Sequence, residues 1–199
     1  MKKYSQNNEQ DCILSYFGDK NNGRFLDIGG FDAFVFSNTR SLAEKDWSGI
    51  ILEPSPICYD KLVNDYGNYK KVNIINIGIG SKTGKKRFYD SRGDAVSTFD
   101  KAHKLKWENG SKVIYDEIEV LCVSVDDFFI EWGFNFDFVD IDIEGKNFEL
   151  VQTLPEELFK RTSLFCIEHD GKNEEIYRHM KVFGYRQLEL NGENVILGK

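Results

Sequence analysis

The amino-acid sequence predicts an α/β fold, a mostly parallel sheet covered by helices on both faces. Three observations carry that reading. Short apolar runs of strand length alternate with stretches of helical periodicity along the whole chain. An early run, Arg24-Phe-Leu-Asp-Ile-Gly-Gly30, ends in an acid and two glycines, and the next, Trp47-Ser-Gly-Ile-Ile-Leu-Glu53, ends in a second acid about 26 residues after Asp27. The last two runs, Tyr185–Leu190 and Val195–Gly198, are separated only by Asn191-Gly-Glu-Asn194, a turn so tight that its strands must be antiparallel.

Taken in order, a first helix is expected over Asp11–Phe17, after the polar segment Tyr4-Ser-Gln-Asn-Asn-Glu9. A strand at Arg24–Ile28 leads to a helix at Phe34–Lys45. Inside that helix lies Ser37-Asn38-Thr39, and three such residues in a row need hydrogen-bond partners beyond the helix itself. Strand Gly49–Leu52, helix Pro56–Tyr66 and strand Val72–Ile77 follow. An insertion at about 85–123 comes next, with a strand at Lys86–Tyr89, a polar loop at Asp90–Lys112 and a long strand at Val113–Cys122. A loop of that length is either a lid or binding loop, lining an acceptor region, or a mobile surface excursion. Helix Val125–Trp132, strand Phe136–Ile141, helix Asn147–Leu154, strand Ser163–Ile167 and helix Glu174–Phe183 precede the hairpin. A parallel sheet of seven strands closed by an antiparallel hairpin is the arrangement of S-adenosylmethionine (SAM)-dependent methyltransferases. A plain dinucleotide-binding fold lacks it.

The 199 residues are read as one domain, 1–199, with 41% hydrophobic residues for the core and 30% charged residues for the surface. A net charge of −7 and a pI near 5.1 argue against a nucleic-acid partner. The basic run Lys82-Thr-Gly-Lys-Lys-Arg87 reads as a solvated turn. Cys12, Cys58, Cys122 and Cys166 form no CxxC pair and read as reduced thiols. No apolar run approaches the ~20 residues of a membrane span, and the start lacks the apolar region of a signal peptide. A cytoplasmic protein is expected.

The glycines let backbone approach a ligand at a strand-to-helix turn, where a helix N-terminus would favour an anionic group. Glu53, at the tip of the next strand, can accept from two ribose hydroxyls. Together these features point to a ligand containing adenosine. Further acids fall at strand ends on the same side of the sheet. In Asp140-Ile-Asp142-Ile-Glu144-Gly145, alternation puts the three carboxylates on one side, where they repel unless a cation or donors compensate them. Glu168-His169-Asp170 ends the next core run, and both clusters flank the crevice where open α/β sheets bind ligands. Asp126-Asp127 reads as a helix cap, His179 as structural or solvated, and His103 as a weak candidate. Asp142 as a simple helix cap is the plain reading of that acid.

On these residues the chain resembles the FkbM family of SAM-dependent methyltransferases. The resemblance runs through Tyr4-Ser-Gln-Asn-Asn-Glu9, Phe25-Leu-Asp-Ile-Gly29, Ser37-Asn38-Thr39, Trp47-Ser-Gly-Ile-Ile-Leu-Glu-Pro54, Ser97-Thr98, Asp142-Ile-Glu-Gly145 and Ile167-Glu168. It implies a Rossmann-like methyltransferase fold, SAM as donor, and acceptor hydroxyls on sugars of glycoconjugates or on polyketide-type products. Asp27, Gly29, Gly30 and Asn38 are expected to hold the methionine end of SAM, Glu53 to take the ribose, and Asn76, Ile77 and Gly78 to line the adenine, with Gln6 and Ser37 as further cofactor-binding residues. Three positions depart from the pattern: Ala33 in the glycine loop, Gln10 as an extra residue, and Asn147 where an acid usually stands.

Methyl transfer to an alcohol is an in-line displacement, and alignment alone lowers the barrier by about 7–11 kcal/mol. A sugar hydroxyl is far less acidic than a carboxylic acid, so a carboxylate base is poorly matched unless a divalent cation lowers the hydroxyl pKa. Hard cations such as Mg²⁺ or Mn²⁺ take carboxylate ligands. Asp142 and Glu168 with His169 are the expected ligands, and Glu144 or His169 the expected base. A metal-free route with His169 as base uses the same residues. Three other functions compete with this reading, one of them a nucleic-acid methyltransferase, which the acidic charge and the lack of a basic–aromatic stripe disfavour. An NAD-dependent oxidoreductase would need G-x-G-x-x-G, which Asp27-Ile-Gly-Gly-Phe-Asp-Ala33 lacks, and a non-catalytic SAM-binding module would have no use for Asp142, Glu144 and Glu168. The expected acceptor is a small molecule or glycan, such as one offering a deoxyhexose hydroxyl, with Trp107, Tyr115 and Trp132 as ring-stacking or core aromatics. Oligomeric state is not legible.

Overall fold

The computed structural model describes residues 2–199. α1 (Glu9–Phe17) precedes β1 (Arg24–Ile28), α2 (Arg40–Glu44), β2 (Ser48–Leu52), α3 (Pro56–Asp65) and β3 (Val72–Ile75). The insertion holds β4 (Gly78–Gly80), β5 (Gly84–Asp90), α4 (Lys101–Ser111) and β6 (Asp116–Ser124). The chain then runs through α5 (Val125–Trp132), β7 (Phe138–Ile141), α6 (Asn147–Val151), α7 (Glu156–Arg161), β8 (Leu164–Glu168), α8 (Asn173–Lys181), β9 (Arg186–Leu190) and β10 (Asn194–Gly198).

Seven strands form the main sheet in the order β3-β2-β1-β7-β8-β10-β9. β10 lies antiparallel to both its neighbours, and the other pairings are parallel. Both faces are buried, as the continuous apolar runs require. Leu26, Ile28, Ile50, Leu52, Val139 and Ile141 pack with Phe128, Leu158 and Met180 beneath α5, α7 and α8. Alternate residues Phe25, Ile51 and Phe138 pack with Ile13, Leu42 and Leu62 beneath α1, α2 and α3. Asp27 and Asp140 share the parity of Phe25 and Phe138, so they emerge on the α1–α3 face, side by side in register.

Three expectations are corrected. The helix expected at Phe34–Lys45 is only α2, and Ser37-Asn38-Thr39 stands in the loop before it, so no helix N-terminus follows the glycines directly. Those three side chains compete with helix backbone and find their partners elsewhere. The third core strand stops at Ile75, and Gly78 opens β4, which joins β6 and β5 in a separate three-stranded sheet. The polar loop at Asp90–Lys112 contains α4, started by Asp100, whose carboxylate accepts from the Ala102 and His103 N–H groups at 2.6 and 3.3 Å. At the start of α5, Ser124 is the cap, and Asp126 and Asp127 sit in its first turn.

Candidate active site

The carboxyl ends of β1, β2, β7 and β8 open into a cavity of about 430 Å³. The N-terminal segment contributes Gln6 to its wall, the insertion contributes Phe99 and Trp107, and the turn before β10 contributes Glu193. At its floor, Gly29 has φ +99°, and a Cβ there would lie 1.7 Å from the Asp142 carbonyl oxygen. A Cβ on Gly30 would meet Ile51 Cγ2 at 2.1 Å. Both glycine N–H groups donate to the Leu52 carbonyl, at 2.9 and 3.1 Å. The glycines therefore make room and leave anion binding to other groups.

Asp27 is buried and accepts from Thr39 Oγ1 at 2.5 Å. Burial pushes its pKa up to about 6. Asp140, beside it, is raised by burial and then by the Asp27 charge, and Asn38 Nδ2 donates to it at 3.2 Å. Asn38 is thus spent on Asp140 and on Ser5, whose hydroxyl donates to Asn38 Oδ1 at 2.7 Å, and it lies outside the cavity lining. Ser37 lines the cavity while its Oγ accepts from the Arg40 N–H.

Glu53 Oε2 accepts from the Phe31 N–H at 2.9 Å, and Oε1 from the Ser55 N–H at 2.6 Å. Each oxygen keeps a lone pair for a ligand hydroxyl. Burial pushes the Glu53 pKa up to about 7. Ile77 and Gly78 line the cavity, but Asn76 does not, because its Nδ2 donates to the Glu53 and Pro54 carbonyls at 2.8 and 3.2 Å. Asn76 shapes the end of β2 instead of touching a base.

At the far end, Asp142, Glu144 and Glu168 each offer an oxygen within 4.8 Å of the others. Asp142 Oδ1 is buried with no hydrogen-bond partner. Burial, then the charge on Asp142, pushes Glu168 up to about 11, and burial raises Asp142 and Glu144 as well. Asn147, fully buried, accepts from the Ile143 N–H at 2.8 Å and donates to Glu168 Oε2 at 2.6 Å and Asp170 Oδ2 at 2.9 Å. An acid at that position would have added charge where this chain places a double donor.

His169 is corrected: it is not brought to this cluster. Its Nε2 lies 3.1 Å from the Asn191 carbonyl and its Nδ1 accepts from the Gly171 N–H, so the ring braces the terminal hairpin. The histidine that does reach the cluster is His103 of α4, whose Nε2 is 2.8 Å from Glu144 Oε2. Burial opposes charge on His103, but the Glu144 carboxylate outweighs it and holds the pKa above its ordinary value. The same Nε2 sits 2.7 Å from Trp107 Nε1, an obligate donor. One nitrogen cannot donate to Glu144 and accept from Trp107 together, so the proton's position decides which of the two contacts is a hydrogen bond. Glu144 and Gly145 take φ +56° and +103°, and a Cβ on Gly145 would press on His103 Nδ1 at 2.9 Å. Of the three aromatics marked for stacking, Trp107 lines the cavity, Trp132 packs on the core, and Tyr115 donates to the Val96 carbonyl.

The buried acids give a pH dependence with a definite sign. Glu53 and Asp27 have folded-state pKa values above their unfolded ones, so the folded chain binds more protons between about pH 4 and pH 7. Their contribution is complete below the unfolded values and is lost as pH rises through the folded ones. His103 acts in the same direction and His179, whose pKa is lowered by burial, against it. The ligand-free protein is expected to melt at a lower temperature at about pH 8 than at about pH 5.5, with Glu53 alone worth on the order of 2 kcal/mol over that interval. Scanning calorimetry across that range checks it; a flat or rising profile would contradict the burial argument.

Among solved structures, the chain is similar to a methyltransferase FkbM from Methylobacillus flagellatus KT, at 11% identity and TM-score 0.57, covering 90% of this chain and 44% of that one. It therefore spans less than half the length of that protein. A precorrin-6y C5,15-methyltransferase from Geobacter metallireducens GS-15 matches at 10% identity and TM-score 0.51, covering 100% and 92%. A human methyltransferase 10 domain containing protein matches at 12% identity and TM-score 0.51, covering 95% and 80%. These likenesses establish the Rossmann-like methyltransferase fold. A search of the curated proteins finds none similar to the chain. The family model described as the methyltransferase FkbM domain matches residues 27–187. That span takes in Asp27, Glu53, Asp142, Glu144 and Glu168, and the chain belongs to the FkbM methyltransferase family.

Proposed function

We propose that the protein is a SAM-dependent O-methyltransferase that methylates a hydroxyl, most directly that of a sugar in a glycan or glycoconjugate. One observation carries the reading. A single cavity joins a nucleoside-type end, Gly29 and Glu53 with Ile77, to a carboxylate cluster containing the partnerless Asp142 Oδ1. At the first end, Glu53 supports the ribose hydroxyls, and Asp27 and Asp140 set negative charge toward the ammonium of the methionine moiety. Gln6 and Ser37 are neutral donors for its carboxylate.

The residues at the second end fit a divalent cation. Three hard oxygen donors converge, and the buried Asp142 oxygen lacks a partner. Asp142, Glu144 and Glu168 would hold Mg²⁺ or Mn²⁺, which when bound lowers the pKa of an acceptor hydroxyl. Asn147 turns Glu168 toward the cluster. On the route without a cation, Glu144 is the group placed to take up the hydroxyl proton, and its 2.8 Å contact with His103 steadies the carboxylate. The insertion forms one wall of the site, with Trp107 and Phe99 lining the space for the acceptor.

Calorimetric titration with S-adenosylhomocysteine (SAH), with and without Mg²⁺ or Mn²⁺, tests the reading. Saturable binding of SAH and a separate heat for the metal are expected. Absence of SAH binding under every condition would remove the methyl donor and, with it, the enzyme. SAH binding with no metal heat would leave the transferase and remove the cation.

A further inference from the structure

The cavity carries no basic side chain. Besides Asp27, Glu53 and Asp140 at the cofactor end, it is lined by Asp94, Asp142, Glu144, Glu168 and Glu193, and no lysine, arginine or histidine is among the described residues that line it. Six cations of the surrounding segments are engaged elsewhere, and a seventh, Lys106, lies outside the lining, 5.5 Å over the Trp107 ring centre, although its charge reaches Glu144. Arg40 is buried with its guanidinium between Phe34, Tyr66 and Tyr69, 4.6, 4.9 and 4.3 Å from their ring centres. Lys61 is held by Asp32, Arg92 by Asp116, Lys104 by Glu108, Lys146 by Asp100, and His103 by Glu144.

Proteins that recognise phosphate do so with arginine, lysine or a cradle of free backbone N–H groups. Here the glycine N–H groups are taken by Leu52, and the side chains that remain are acids, aromatics and small neutral groups. A divalent ion at Asp142, Glu144 and Glu168 would offset charge only there. Asp94 on the insertion and Glu193 on the turn before β10 would still meet any diphosphate approaching the cavity.

We infer that the acceptor enters without a phosphate, so that methylation acts on a sugar already transferred from its nucleotide carrier and never on the nucleoside-diphosphate sugar. The reaction that supplies this substrate is then a glycosyl transfer. The placement rests on the sugar-hydroxyl reading above, whereas the exclusion of phosphate holds for any acceptor.

Matched probes that differ only at the anomeric carbon test it. GDP-fucose and p-nitrophenyl fucoside form one pair, and dTDP-rhamnose and p-nitrophenyl rhamnoside another. SAH release from the whole protein is followed for each, with and without Mg²⁺. The glycoside is expected to exceed its nucleotide partner by ~10-fold or more in kcat/KM. A nucleotide sugar turned over as well as its glycoside overturns the inference. If no pair reacts, the sugar reading fails, and titration of the SAH-loaded protein with pyrophosphate decides the rest. No saturable binding at millimolar concentration upholds the exclusion, and saturable binding ends it. The double variant Asp94→Lys with Glu193→Lys is expected to bind pyrophosphate saturably at millimolar concentration, where the unsubstituted protein does not. Unchanged affinity in a folded double variant counts against the inference.

Discussion

Gly29→Ala is expected to abolish SAH binding and to cost about 3 kcal/mol or more of stability. Two separate penalties act at this position. The backbone is in the left-handed region at φ +99°, which an alanine resists, and the new Cβ would lie 1.7 Å from the Asp142 carbonyl oxygen, a backbone atom that cannot swing away. Relief requires separating the β1 turn from the β7 turn, the two segments that form the floor of the cavity. Gly18→Ala separates the penalties, since Gly18 has φ +53° and a Cβ there would meet nothing within 4 Å. That control is expected to lose about 1–3 kcal/mol and to bind SAH normally. Urea unfolding and SAH titration of both variants provide the comparison. SAH binding retained by Gly29→Ala would mean that the turn is not part of the cofactor site.

Asp142→Asn is expected to drop methyl transfer at least ~100-fold and to remove the metal heat, while SAH binding remains measurable. The same change is expected to raise the stability of the metal-free protein by about 1–2 kcal/mol. Both follow from one arrangement. Asp142 stands among Glu144, Glu168 and Asp170, is raised by burial and by the Glu144 charge, and leaves Oδ1 without a partner. A neutral amide of the same shape relieves the repulsion and takes the charge from a metal ligand. Mg²⁺ should then raise the melting temperature of the wild type and leave that of the variant in place. Full activity in Asp142→Asn would sink the assignment.

Much of this was legible from the sequence, because parallel strands buried on both faces must be continuous apolar runs, and because ligand-bearing acids fall where such runs stop. Asp27, Glu53, Asp142 and Glu168 were readable on those grounds, and the terminal hairpin from its four-residue turn. α4 was not, since its only buried residue is His103 and an exposed helix without an apolar stripe has no periodic signal. The role of Asn147 was equally hidden: its partners lie 21 and 23 residues away, at the end of β8 and in the loop after it. His169 misled for the opposite reason. It adjoins Glu168 in the chain, yet the residue after a strand end is free to turn, and this one turns to the hairpin carbonyl of Asn191.

The contact between Gly29 and the Asp142 carbonyl has a further consequence. The Asp142 N–H also donates to the Ile28 carbonyl at 3.0 Å, so the cofactor turn and the first acid of the cluster are joined main chain to main chain. No side chain adjusts the spacing between them. The backbone spacing between the two ends of the proposed site is therefore set by peptide geometry. On the proposed reading, rebuilding the insertion or the terminal turn is expected to change the acceptor and leave that backbone spacing as it is.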